Sequence, residues 1–256
     1  MKKITADQPS TIRAGEELPV ESLESYLQEQ LSTQGSLEVS QYPSGFSNLT
    51  YALTLGDRQM VLRRPPVGAK IATAHDMGRE YKVLSLLRPH FDKIPSPLLF
   101  CEDASIMGAP FYLMSRVEGV ILRGGHAKSA PEPSLMADLS TTVAQTLAEL
   151  HNVKIQGTLL EELGKPEGYV ERQVKGWVKR YYAAATDSIP AMDEVATWME
   201  ANLPAEEYTS FIHNDFKYDN LVLDPDHLTQ VIAVLDQKPQ SSRPEWCPNP
   251  SRGHPP

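Results

Sequence analysis

A two-lobed α+β protein is the fold class that the sequence predicts, and three observations predict it. Strand patterns and one helix fill residues 36–115, helical patterns dominate 116–236, and a thin join lies near 115–119. Strands gathered ahead of helices, rather than alternating with them, argue against a doubly wound sheet. The 256 residues, 41 % hydrophobic and 22 % charged, are enough to bury a core and exclude wholesale disorder. A net charge of −9 makes a broad nucleic-acid surface unexpected. No apolar run approaches the ~18 residues of a membrane helix, and no apolar segment follows Lys2 and Lys3, so neither a span nor a secretory leader is expected. Cys101 and Cys247 are the only cysteines. They exclude a disulfide framework or a Cys-rich zinc site and point to a reducing cytoplasm.

Each element has its own signal. Residues 1–35 form an N-terminal extension with a helix over 19–32, because Pro19 suits a first turn and Leu23, Leu27 and Leu31 recur every four residues. Residues 36–42 read as a strand, followed by a turn at Pro43 to Gly45. Tyr51, Leu53 and Leu55 then alternate with small or polar residues, Gly56-Asp57 makes a hairpin turn, and 60–63 return as a strand ended by Pro65 and Pro66. Residues 71–88 read as a helix with Met77, Tyr81, Leu84 and Leu87 on one face. Short strands are expected at 95–101 and 111–115. Leu135, Leu139, Val143, Leu147 and Leu150 mark one face of a long helix, and 168–184 and 191–202 are further helices whose Trp177 and Trp198 read as core. Strands at 221–223 and 231–235 flank Asp224-Pro225-Asp226. Residues 237–256 hold six of the 21 prolines and few apolar side chains, and read as a disordered tail.

The chemistry sits between the last helix and those strands. His213-Asn214-Asp215-Phe216-Lys217-Tyr218-Asp219-Asn220 has the form H-x-D-x-x-x-x-N, the spacing of a kinase catalytic loop. Asp215 suits a group that accepts the proton of an attacking hydroxyl. Asn220 can turn its amide oxygen to a magnesium ion, and His213 props the loop backbone. Lys217 is placed to neutralise a transferring phosphoryl group. Ile232, Val234 and Asp236 share one face of the last strand, so Asp236 is expected to be the second magnesium ligand. In the first lobe, Val61 and Arg63 point the same way, Val61 toward an adenine and Arg63 toward phosphates, and Glu80 on the next helix is positioned to pair with Arg63. Gly45, Ser47 and Asn48 lie in a turn that can bring backbone N–H groups to phosphate oxygens.

These motifs together resemble the aminoglycoside phosphotransferase-like family of the protein-kinase-like fold, and most of all the phosphotransferase domains fused to acyl-CoA dehydrogenases. The residues that carry the resemblance are 45–51, 61–66, 79–81, 114–119, 147–151, 212–220 and 234–236. It implies a small antiparallel N-lobe over 36–115, a helical C-lobe over 116–236 and an ATP- and magnesium-dependent transfer of the γ-phosphoryl group to a small-molecule hydroxyl. A hydroxyacyl-CoA-type or aminoglycoside-like acceptor is implied equally. It further implies Asp215 as catalytic base, Asn220 and Asp236 as magnesium ligands, an Arg63–Glu80 phosphate anchor, and a hinge of Met114, Ser115 and Val117 that binds adenine. Arg63 stands where most kinases have lysine; arginine keeps its charge and grips phosphate. Family members continue past the metal aspartate with several more helices, whereas Gln237 and the proline-rich segment follow here. An incomplete C-lobe is therefore expected, and with it an alternative: an inactive nucleotide-binding or interaction module.

Overall fold

Along the chain run α1 (Val20–Leu31), β1 (Leu37–Gln41), β2 (Leu49–Leu55), β3 (Arg58–Arg64), α2 (Met77–Leu87), β4 (Pro97–Cys101), β5 (Phe111–Ser115) and α3 (Pro133–His151). They are followed by α4 (Tyr169–Ala184), α5 (Pro190–Ala201), β6 (Glu207–Tyr208), β7 (Leu221–Leu223), β8 (Val231–Val234) and β9 (Arg243–Pro244). The computed structural model of the chain describes residues 8–43, 48–66, 76–123, 132–204, 207–236 and 243–244. Gly45, Ser47 and most of the proline-rich segment lie outside the described residues, as do 71–75 of the expected second helix. The chain divides into two compact units, Met1–Ala144 with Asp215–Gln237, and Gln145–Asn214 with Lys238–Pro256.

The first unit is built on a five-stranded antiparallel sheet in the order β1-β2-β3-β5-β4. Side chains alternate across a strand, so the sheet has two different faces. Leu49, Tyr51, Leu53, Leu55, Met60, Leu62, Phe111 and Leu113 belong to one buried cluster, which Leu23 and Leu27 of α1 complete. The intervening residues Val61, Arg63, Tyr112 and Met114 form the other face, with Val61 opposite Met114 and Arg63 opposite Tyr112. Gly56 makes the β2–β3 turn with φ 59°, a left-handed conformation that glycine adopts without a Cβ penalty. Helix α2 opens at Met77, the first residue of the expected apolar face, where Asp76 caps it: its carboxylate accepts the Arg79 backbone N–H at 2.9 Å. Tyr81 of α2 stacks on Phe100 of β4, ring centroids 5.7 Å apart.

Strands β7 and β8 pair as an antiparallel hairpin in this unit. Three backbone contacts fix it. Val120 and Leu223 exchange hydrogen bonds at 2.9 and 2.8 Å, the Val234 N–H donates to the Lys93 carbonyl at 2.8 Å, and the Leu235 N–H donates to the Asn220 carbonyl at 2.8 Å. Gly119 permits the first of these. A Cβ there would lie 2.5 Å from the Leu223 carbonyl oxygen and 2.6 Å from a Val222 methyl group.

The second unit is helical. It takes the last turns of α3, where Thr146 and Leu150 are buried, then a 3₁₀ turn at Leu159–Leu163, then α4 and α5. Here the structure corrects the sequence reading. Trp177 and Trp198 are 65 % and 64 % exposed, not core. Periodicity marks an apolar stripe but does not supply a covering element. Among the described residues α4 buries only Val174 and α5 only Ala196, and the Trp177 ring is instead capped by Arg180, 4.1 Å from its centroid. Arg243–Pro244, within the segment expected to be disordered, pairs antiparallel with Glu207–Tyr208.

Candidate active site

The site of the first unit starts from the β3–β5 register. Opposite residues on paired strands are neighbours, so the Arg63–Tyr112 pair places a guanidinium beside a phenol. Glu80, in the first turn of α2, completes the group: Arg63 Nε lies 3.5 Å from Glu80 Oε2. The expected Arg63–Glu80 pair is therefore present. The Glu80 carboxylate has two further partners. Asn48 Nδ2 donates to Oε1 at 2.7 Å, and the Tyr112 hydroxyl donates to Oε2 at 3.0 Å. The Asn48 side chain thus serves the glutamate, while the turn before it lies outside the described residues.

Arg63 has a second carboxylate within reach. Its Nη1 donates to Oδ1 of Asp236. Burial works against the guanidinium charge, but the oxygens of Tyr112, Asp236 and Glu80 more than restore it, and the group is held more firmly protonated than an ordinary arginine. A small cavity lies here, lined by Arg63, Glu80, Leu84, Tyr112, Met114 and Asp236 among others. Asp236 does not continue the alternation of β8. The strand ends at Val234, and Asp236 adopts a left-handed φ of 57°. That conformation is strained for a residue with a Cβ and recurs at functional positions.

The loop residues assemble on the same unit. Asn220, 6 % exposed at the end of a 3₁₀ turn (Tyr218–Asn220), donates through Nδ2 to the Asp215 carbonyl at 2.8 Å and to Asp215 Oδ2 at 3.2 Å. With Nδ2 committed there, Oδ1 is the amide atom left to offer a cation. The Leu235–Asn220 backbone bond sets Asp236 beside this residue. Lys217 Nζ lies 3.0 Å from Asp215 Oδ2, and this hydrogen bond raises the ammonium pKa above its ordinary 10.5. His213, two residues before Asp215, is buried, 1 % exposed, in the chain segment of the second unit. A carboxylate and an amide oxygen suit a hard cation that takes its remaining ligands from phosphate and water. Among the described residues no cluster of three or more His, Cys, Asp or Glu side chains offers an alternative metal site.

The hinge residues divide. Val61 and Met114 face each other, both buried. Ser115 commits its backbone N–H to the Ser96 carbonyl and its hydroxyl to the Ser96 N–H, each at 2.8 Å. Val117 follows the end of β5. Sequence reasoning missed Tyr112. The signal was available: it is two residues before Met114, and so shares the sheet face assigned to the nucleotide.

A five-stranded sheet with one ion-paired helix, then helices, then an H-x-D-x-x-x-x-N loop on a hairpin, defines a protein-kinase-like phosphotransferase fold. The chain belongs to the phosphotransferase enzyme family, whose profile matches residues 38–236. Acyl-CoA dehydrogenase family member 10 of Mus musculus is 40 % identical over 221 residues, 86 % of this chain but 20 % of the mouse protein. Acyl-CoA dehydrogenase family member 11 of Rattus norvegicus is 41 % identical over 223 residues, 85 % of this chain and 28 % of the rat protein. The chain therefore spans between a fifth and somewhat more than a quarter of the length of these curated relatives. A crystal structure from Ralstonia eutropha, assigned to the aminoglycoside phosphotransferases, superposes with a TM-score of 0.74 at 31 % identity, covering 87 % of this chain and 65 % of its own. A variant of aminoglycoside phosphotransferase APH(4)-Ia, in complex with ADP and hygromycin B, has a TM-score of 0.58 at 20 % identity over 86 % of this chain and 72 % of its own, and shares the fold.

Proposed function

We propose that the chain carries an ATP- and magnesium-dependent phosphotransferase that moves the γ-phosphoryl group to a hydroxyl of a small molecule. The observation that carries this reading is the convergence, within one compact unit, of Arg63, Glu80, Asp215, Asn220 and Asp236. Arg63, held by Glu80, grips phosphate oxygens with a charge that does not titrate in the physiological range. Asn220 Oδ1 and Asp236 hold magnesium, which when bound neutralises phosphate charge. Asp215 orients and deprotonates the acceptor hydroxyl, and Lys217 fixes its carboxylate. Catalysis on this reading is chiefly positioning and charge stabilisation. The family membership and the ADP complex of a fold neighbour support the nucleotide assignment.

The acceptor class we favour is a hydroxyacyl-CoA thioester or its free hydroxy acid, because the curated relatives carry the matching segment within chains named as acyl-CoA dehydrogenases. A cytoplasmic setting goes with this reading, in keeping with a buried, unpaired Cys101. No helix among the described residues is long and apolar enough to cross a membrane.

ADP release in the presence of magnesium, measured across hydroxyacyl-CoA thioesters, free hydroxy acids and hygromycin B, tests the assignment. Acceptor-dependent release with the acyl series alone supports it; release with hygromycin B alone replaces the acceptor class. Asp215→Asn is then expected to lower kcat by about 10²–10⁴ with ATP affinity nearly kept. An unchanged rate removes Asp215 from the mechanism.

A further inference from the structure

Glu80 is held from two directions by uncharged donors, and only one of them lies in a motif the sequence singles out. Asn48 takes Oε1; Tyr112, on β5, takes Oε2. Tyr112 is 2 % exposed, and its ring also contacts Tyr81 of α2, centroids 6.2 Å apart. Burial foremost pushes the phenol pKa well above its usual value, and the Glu80 charge adds to this against the opposing effect of Arg63. The hydroxyl proton therefore stays on the oxygen and stays donated to the carboxylate.

A glutamate side chain has three rotatable bonds, and Arg63 has two carboxylates to choose between: Glu80 and, through Nη1, Asp236. What keeps Arg63 in a defined place when Asp236 turns to a cation is a Glu80 that cannot swing away. We propose that Tyr112 is a positioning residue for nucleotide binding: its hydroxyl locks the Glu80 carboxylate, and the locked carboxylate sets Arg63 against the phosphates. This rests on the reading that Arg63 and Glu80 anchor the phosphates of ATP. Phenylalanine at this position keeps the ring and its packing and removes only the donor. The carboxylate oxygen then loses a hydrogen bond in a half-buried setting, where bonds to charged groups matter most.

The test is a double-mutant cycle on the full chain with Tyr112→Phe, Glu80→Ala and the double variant. Affinities for ATP with magnesium and for adenosine are both measured by calorimetric titration. Tyr112→Phe is expected to weaken ATP binding roughly three- to tenfold while leaving adenosine binding unchanged. In the Glu80→Ala background the same substitution is expected to add less than about twofold, because there is no carboxylate left to lock. Equal losses for ATP and adenosine, or losses that multiply in the double variant, would assign Tyr112 to packing and overturn the proposal. Wild-type ATP affinity in Tyr112→Phe beside a Glu80-dependent affinity would overturn it while sparing the phosphate anchor. ATP affinity indifferent to Glu80→Ala would overturn both.

Discussion

The sheet unit and the α4–α5 helices treat their large side chains in opposite ways. Along β3, β5, α2 and the β7–β8 hairpin, even the polar groups are drawn in: Arg63, Glu80, Tyr112 and Asn220 are largely buried and held by named partners. Along α4 and α5 the apolar groups stand out, with Trp177, Val195, Trp198 and Met199 all at least 40 % exposed. The lesson concerns where stability and function share residues. In the sheet unit the packing that stabilises the fold also fixes the ion pairs. In the helices, the described residues supply an apolar stripe without a cover, so little of the stability of the chain is invested there.

Core truncation sharpens this contrast most. Leu62 is fully buried at the centre of the sheet, between Tyr51 and Leu113 in register, and Leu62→Ala is expected to lower unfolding free energy by about 2–5 kcal/mol. A loss under about 1 kcal/mol in urea denaturation would mean that the sheet is not the stable part. Gly119→Ala comes next. The added methyl meets backbone at Leu223, and about 1–3 kcal/mol is expected to be lost, together with ATP affinity, as the hairpin carrying Asn220 and Asp236 shifts. Retained affinity would show that the hairpin docks without this close approach.

A smaller effect is expected at the sheet edge. The Gln41 amide donates to Glu16 and, with Arg13, holds the Glu16 carboxyl below its ordinary 4.5. A carboxylate with a depressed folded pKa contributes stability above its unfolded pKa and loses that contribution as pH falls through the folded value. The Glu16 contribution is thus present above about pH 4.5 and fades in more acid solution. Glu16→Gln should flatten that part of the stability–pH curve, and an unaltered acid limb would show that the bond is not formed in solution. The smallest effects belong to the helices. Trp177→Ala should cost about 0.5 kcal/mol, the exposed cation–π contact with Arg180, and Trp198→Ala less. Losses of several kcal/mol at either tryptophan would break the comparison, because they would mean that this face is covered in solution.

Much of this arrangement is legible before folding. The leucine spacing that predicts α1, the alternation that predicts β2 and the Gly56-Asp57 turn are local signals, and each corresponds to an observed element. The Arg63–Glu80 pair was legible because strand face and helix face are both written in periodicity. Other expectations failed for physical reasons. At the start of α2 the Asp76 carboxylate, rather than an apolar side chain, sets where the helix begins. The face argument for Asp236 stops at Val234, since a left-handed φ turns the backbone away from the strand.

The sequence by itself determined the elements, their order and the residue types at the H-x-D-x-x-x-x-N loop, because these rest on interactions a few residues long. Tertiary structure alone decided which of those residues meet. Tyr112 reaches Glu80 across 32 residues and Asp236 reaches Arg63 across 173, and no local pattern encodes contacts over such separations. It also decided that two tryptophans at core spacing face outward. Burial is a property of what surrounds a side chain, and a helical repeat specifies only which side of the helix asks to be covered.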